Sequence, residues 1–326
     1  MGWMILAMTC PILSSTKAEC NIGLTSDRAE QVVQSVTETR VHGENSTLPQ
    51  TVTRFAPSPS GWLHLGHIHS VLEARRAADD DGGLMRLRIE DIDGPRCRPE
   101  YHDGILDDLT YMGVKWDGPV MVQSERMAAY AAALETLKAD DLVYPCFLSR
   151  RELDRLLSAP HLPPITHPAN TDQLIDSDLA TERLEQGQEP AWRLRMEAIR
   201  PRLKGLEYRD WLNGPKAIDL DAIGDEVIAR KDIATSYHLS VVVDDAAQGI
   251  TLITRGADLE ASTPLHRVLQ VLLNLPETTW RHHQLVLDST GKRLAKRHMP
   301  LTIRDMREDG MEPSAILSAL EKSPKA

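Results

Sequence analysis

Two stretches, far apart in the chain, carry residue types able to grip a polyphosphate from two sides. The first is Arg54-Phe55-Ala56-Pro57-Ser58-Pro59-Ser60-Gly61-Trp62-Leu63-His64-Leu65-Gly66-His67. His64 and His67, three positions apart, can face one side and donate hydrogen bonds to phosphate oxygens. Gly66 lets a ligand approach the backbone closely. The second stretch is Gly291-Lys292-Arg293-Leu294-Ala295-Lys296-Arg297, with four cations close together after a turn glycine. Such a run is usually a solvated face. Downstream of a phosphate site, it can stabilise charge developing on a transferred or leaving phosphate group.

The elements that must position these groups follow from the pattern around them. Residues 52–55 read as a short strand, broken by Pro57, Pro59 and Gly61. A helical pattern then begins near His67 and continues through Ile68, Val71, Leu72 and Ala74. Strand, loop and helix open a nucleotide-binding α/β unit, and the helix N-terminus favours phosphate. Two helices are expected at 99–112 and 124–139. Beyond them lie a helix at 150–158, a Pro-rich loop at 159–168, and strand-like segments at 191–196 and 227–231. Strands are expected at 239–243 and 250–254, a helix at 264–273, a strand-like run at 284–287 and a helix from 316. The expected fold is therefore α/β, with four parts. Residues 1–48 form an N-terminal extension, disordered or an overlong predicted start. Residues 49–143 form the first half of a Rossmann-like doubly wound parallel sheet, 144–232 an inserted α+β subdomain, and 233–326 the second half with the cationic loop and C-terminal helices.

At this level the chain resembles the class I aminoacyl-tRNA synthetases. His64-Leu65-Gly66-His67 and Arg293-Leu294-Ala295-Lys296-Arg297 stand in the places of the HIGH and KMSKS signatures. The Arg-Phe-Ala-Pro-Ser-Pro opening is similar to the glutamyl branch. So are Leu87-Arg88-Ile89-Glu90-Asp91-Ile92-Asp93, the run from Tyr237 to Asp245, and Thr254-Arg255-Gly256-Ala257-Asp258-Leu259. The resemblance covers about residues 50 to 320. The chain ends at Ala326, thirty residues past Lys296, which is too short for the helical anticodon-binding region of a full glutamyl-tRNA synthetase. The shape therefore resembles the truncated glutamyl-Q tRNA(Asp) synthetase family. A fragment of a glutamyl-tRNA synthetase, a catalytically dead tRNA-binding paralogue, and a small-molecule ligase on the same fold are the other readings.

The resemblance implies an enzyme that joins L-glutamate to the queuosine base at the wobble position of tRNA(Asp), by way of glutamyl-adenylate made from ATP with Mg²⁺. It implies glutamate contacts at Arg54, Phe55, Ala56, Pro57, Ser58, Glu90, Tyr237 and Arg255. ATP contacts fall at His64, Gly66, His67, Arg293 and Lys296, with His64, His67 and Lys296 as the catalytic set. The charges agree: glutamate brings two carboxylates and one ammonium, arginine pairs bidentately with carboxylates, and a carboxylate suits the ammonium.

Two departures stand out. Ala295 replaces the hydroxyl residue usual in the second signature. Many relatives also bind zinc in the insertion through cysteines, whereas here Cys146 stands alone, with Leu148 and Thr171 at the lost positions. His161 and His167 do not complete a four-ligand site, so no metal is expected.

Composition sets outer bounds. The chain has 326 residues, 41% hydrophobic and 26% charged, with a net charge of −11. That balance weighs against broad electrostatic RNA binding, so contact with tRNA must be local. The basic stretch Arg193, Arg195, Arg200, Arg202 and Lys204 is either such a contact or a solvated hairpin face. No apolar run reaches transmembrane length, and residues 1–13, though apolar, lack a positive n-region. Four cysteines show no disulfide framework. A cytoplasmic monomer that touches no membrane is expected.

Overall fold

The computed structural model describes residues 50–149, 151–153, 171–172, 175–288, 291, 294 and 301–326. The expected N-terminal extension, most of the helix at 150–158, the Pro-rich loop with His161 and His167, and Lys292, Arg293, Ala295, Lys296 and Arg297 lie outside the described residues.

Three strands, β1 (Val52–Phe55), β2 (Leu84–Ile89) and β3 (Met121–Val122), pair in parallel in that order. β1 and β2 are joined by the helix α1 (Leu65–Asp79), and β2 and β3 by α2 (Pro99–Tyr111). The other half of the sheet runs β7 (Gly214–Ala217), β6 (Glu207–Asp210), β10 (Thr279–His283), β9 (Leu252–Gly256). Within it only β7 is antiparallel. β1 and β9 lie side by side: Thr251 N donates to the Val52 carbonyl (2.9 Å), and Arg54 Nη1 to the Thr254 carbonyl (2.9 Å). The strand order thus reverses at the β1–β9 junction, which opens the crevice where doubly wound sheets bind ligands. A separate antiparallel sheet holds β4 (Val143–Cys146), β5 (Ala191–Leu194) and β8 (Val227–Ala229). The hairpin β6–β7 lies within the span 144–232, yet it pairs onto the main sheet through β10.

Hydrophobic burial on both faces of the sheet holds this frame together. One core packs Phe55, Met85, Leu87 and Ile89 against Ile68 and Val71 of α1, and against Ile105 and Leu109 of α2. Ile316 and Leu320 of the last helix, Pro313–Lys322, close the same core. A second core joins α3 (Met127–Ala139), the small sheet, α6 (Tyr237–Ala247) and α7 (Thr263–Leu272). The short helices α4 (Ser177–Glu185) and α5 (Met196–Ile199) flank β5. No helix of the described residues is long and apolar enough to cross a membrane.

The structure corrects two expected elements. Residues 239–243 are not a strand but the middle of α6, which Ser236 caps by accepting from Leu239 N. This helix buries Leu239, Ser240, Val241, Val242, Asp244 and Asp245, nearly all round its circumference. Burial on every face removes the 3.6-residue signature, and three consecutive valines then imitate a strand. The strand expected at 284–287 lies earlier, at Thr279–His283. Val286 instead forms a single antiparallel bridge with Lys325 near the chain end. Helix α1 begins two residues earlier than expected, at Leu65.

The basic stretch resolves into anchored and exposed members. Arg193 Nη1 donates to the Asp225 carbonyl (2.7 Å), Arg195 pairs with Asp172 (3.0 Å) and Asp141 (3.3 Å), and Arg200 Nη2 donates to the Ile223 carbonyl (3.0 Å). Arg202 and Lys204 are exposed.

Candidate active site

At the carboxyl ends of β1, β2, β9 and β10, a cavity of about 530 Å³ is lined by Arg54, Phe55, Ala56, Pro57, Ser58, His64, Gly66, His67, Glu90, Tyr237 and Arg255. Every described residue of the expected glutamate and ATP sets is among them. Arg293 and Lys296 lie outside the described residues, but Leu294 between them also lines the cavity. Of the further lining residues, His69, Ser70 and His283 belong to none of the motifs read from the sequence.

The two histidines of the first motif build the entry to α1. His64 is its N-cap: Nδ1 accepts from Gly66 N (3.1 Å), and His67 Nδ1 accepts from His64 N (3.1 Å), a reciprocal capping box. Because each Nδ1 accepts from a backbone N–H, each neutral ring carries its proton on Nε2. The two rings lie with centroids 3.9 Å apart, tilted at 41° to each other. A Cβ at Gly66 would stand 3.0 Å from His64 Cε1, so glycine keeps this arrangement uncrowded.

Deeper in, charge is arranged in a chain. Arg54 Nε donates to Asp245 Oδ1 (3.0 Å), and Arg88 Nη1 reaches the same oxygen (2.8 Å). Arg88 also holds Glu90 Oε1 through Nη2 (3.0 Å). Asp244 takes Arg126 (2.5 Å) with Gln123 and Tyr130. Burial works against the Asp245 charge, but Arg54 and Arg88 outweigh it and hold its carboxyl below the usual range. Burial likewise pushes Glu90 up, against the pull of Arg88 and Arg54. Among the described residues, Glu90 Oε2 has no partner, and Glu90 opens onto the cavity.

Arg255 differs from the other guanidiniums. It is 6% exposed, and among the described residues no carboxylate lies within ion-pair distance of it. Burial lowers its pKa, with Tyr237 and Asp245 acting the other way. A Cβ at Gly256, the next residue, would collide with Leu285 Cδ2 at 2.7 Å, so glycine lets the wall close there. The interior set Arg54, Arg88, Arg126 and Arg255 against Glu90, Asp244 and Asp245 leaves one positive charge over, and it sits on Arg255. Burial of an unpaired guanidinium is costly unless a ligand meets it.

The sequence named the two charged ends of this chain but not its middle. Asp245 and Arg88 stand inside quoted motifs, yet only folding brings α6 under β1 and β2. Of the residues around Arg255, His282 is its register neighbour on β10, and Thr263 and His266 come from α7. Nothing in their local pattern marks them.

Cys146 is buried and free. Thr171 has its hydroxyl paired with the Tyr144 hydroxyl and its N–H donating to Asp225 Oδ2 (2.6 Å). The described residues offer one cluster with metal-ligand spacing, Asp210, Glu260 and His282, and Lys216 is already seated on both of its carboxylates (3.5 and 3.0 Å).

Fold and site together define a nucleotide-binding synthetase architecture, and the chain belongs to the class I tRNA synthetases of the glutamyl and glutaminyl type, whose catalytic-domain model matches residues 50–323. It is 43% identical to a glutamyl-Q tRNA(Asp) synthetase of Rhodobacter capsulatus over 81% of this chain and 98% of that one. It is 42% identical to the Nocardia farcinica protein of the same name, over 83% of each. A glutamate tRNA ligase of Elizabethkingia meningosepticum, solved in complex with its amino acid, superposes with a TM-score of 0.65 at 26% identity. That match covers 80% of this chain but about half (53%) of the longer ligase.

Proposed function

We propose that the chain activates L-glutamate with ATP and transfers the glutamyl group to the queuosine base of tRNA(Asp). The observation that carries this reading is the buried Arg255, which lines the cavity and, among the described residues, has no carboxylate within ion-pair distance. Glutamate, with two carboxylates and one ammonium, brings a carboxylate to meet it. A relative bearing the glutamyl-Q name, matched over 98% of its length, supports the choice of acceptor.

In this reading Arg255 and Arg54 meet substrate carboxylate, Glu90 Oε2 takes the ammonium, and Ser58 and the Tyr237 hydroxyl stand beside them. Phe55, Ala56 and Pro57 form the backbone wall. The α-carboxylate displaces pyrophosphate from ATP, so that the new C–O–P linkage holds the activated acyl group. No protein nucleophile is needed, and positioning with charge stabilisation supplies the rate. The Nε2–H groups of His64 and His67 and the N-terminus of α1 fit the phosphates, with Gly66 allowing close approach. Mg²⁺ that accompanies ATP supplies charge neutralisation at the phosphate oxygens. Arg293 and Lys296 would bring cations to the leaving end. A hydroxyl of the queuosine cyclopentenediol then attacks the acyl carbon and releases AMP.

Glutamate-dependent ATP–pyrophosphate exchange without tRNA tests the first half, followed by charging of tRNA(Asp) with and without queuosine. Exchange at background under saturating glutamate and Mg-ATP sinks the activation step. Equal charging of both tRNAs sinks the acceptor assignment.

A further inference from the structure

The groups that hold Arg255 are all uncharged. Its Nη1 reaches His266 Nδ1 (3.1 Å), its Nη2 donates to Thr263 Oγ1 (2.6 Å), and its Nε to His282 Nε2 (3.5 Å). A guanidinium has donors and no acceptor. His266 must therefore turn a lone pair on Nδ1 toward Arg255 and carry its proton on Nε2, where it donates to His238 Nδ1 at 3.0 Å. One hydrogen bond thereby fixes the tautomer of His266 and what His238 must accept. Burial and the Arg255 charge push His238 down to about 4 and His266 well below the ordinary imidazole range, so both rings are neutral near pH 7. His282 is likewise lowered by burial and by Arg255.

Among the described residues, the nearby carboxylates stand outside ion-pair distance of Arg255. Asp245 is taken by Arg54 and Arg88. Behind His282, Asp210 and Glu260 share Lys216, and Asp210 Oδ2 stands 3.8 Å from His282 Nδ1. A buried arginine ordinarily meets a carboxylate of its own protein. Here neutral acceptors hold the guanidinium, and among the described residues no carboxylate pairs with its charge.

We propose that this neutral cradle, with His266 at its centre, is the specificity device of the amino-acid pocket. It orients Arg255 without neutralising it and so reserves the charge for the side-chain carboxylate of the substrate, selecting glutamate over its uncharged amide. His266 is a positioning residue, acting through Arg255. The inference rests on the glutamate reading above and adds the means by which glutamate is chosen.

The test compares two variants of almost equal size. In His266→Gln the amide oxygen can accept from Arg255 and the amide N–H can donate to His238, so the charge state is preserved. In His266→Glu a carboxylate is placed against Arg255 and cancels its charge. ATP–pyrophosphate exchange is measured with glutamate and with glutamine, alongside the melting temperature. His266→Glu should cut glutamate kcat/KM by about a hundredfold or more, mainly through KM, and lower the glutamate-to-glutamine preference at least about tenfold. His266→Gln should restore glutamate kcat/KM to within about fivefold of the parent. If His266→Glu does not fold, Thr263→Asp against Thr263→Ser reads the same effect, because an acidic residue in the first turn of α7 suits the helix. An exchange-active parent whose charged variant keeps its glutamate preference overturns the cradle. Equal loss in the neutral and charged variants does so too, since that marks a merely structural role. A parent inactive with glutamate overturns the activation reading instead.

Discussion

Two buried polar clusters in this chain are built to opposite ends. In the small sheet, Asp225 is 4% exposed and accepts from Met196 N (3.0 Å), Thr171 N (2.6 Å), Asp172 N (3.3 Å) and the Tyr144 hydroxyl (3.1 Å). Both of its oxygens are used, and nothing remains for a ligand. In the cleft, Arg54, Arg88, Glu90 and Asp245 are just as interlocked, yet among the described residues the cluster ends in an unpartnered Glu90 Oε2 and in Arg255, which meets no carboxylate. A closed cluster converts burial into rigidity, while an open one keeps the desolvation cost until a substrate arrives. The difference lies in what each cluster leaves unsatisfied, not in burial or residue type.

The largest effect should come from breaking the open end. Arg255→Ala removes a charge-assisted pair with substrate and should cost about 2–4 kcal/mol in glutamate kcat/KM, with ATP binding nearly unchanged. Exchange kinetics at varied glutamate check this, and a kcat/KM within threefold of the parent would remove Arg255 from the site. Lys296→Ala should lower kcat by roughly a hundredfold while ATP affinity falls less, as expected of a cation acting in the transition state. Lost ATP binding with an unchanged kcat would make Lys296 a ground-state anchor.

Breaking the closed end should act on stability alone. Asp225→Ala leaves four donors without an acceptor and should cost roughly 3 kcal/mol, or about 6–12 °C in melting temperature. Glutamate KM should stay near that of the parent, and a selective rise in KM with unchanged melting would erase the contrast between the clusters. The smallest effect is expected from metal removal. With Thr171 committed to Tyr144 and Asp225, a chelator should leave the melting temperature unmoved, and the purified chain should hold far less than one zinc. Stoichiometric zinc on Cys146 would overturn this.

Much was legible before folding where the signal is local. The proline-broken strand, His64, Gly66 and His67, and the paired motifs at Glu90 and Arg255 all announce themselves by type and order. The cavity gathers every described member of that set. Helix α6 was misread because burial on all sides erases amphipathic periodicity, leaving the valine run as the louder signal. The capping role of His64 and His67 was hidden because histidine is not a usual cap and the geometry depends on both rings together.

The sequence by itself determined the chemistry available: which cations, imidazoles and carboxylates exist, and that they sit on motifs shaped for a nucleotide and a dicarboxylate. Only the tertiary structure decided which charges cancel. Asp245 comes to Arg54 and Arg88 from a helix far along the chain, and His266 and His282 reach Arg255 from α7 and β10. Ion pairing depends on distance and desolvation, neither of which is written in residue order. Among the described residues, Arg255 stands out as a buried cation without a carboxylate only once the partners of Arg54 and Arg88 are in place.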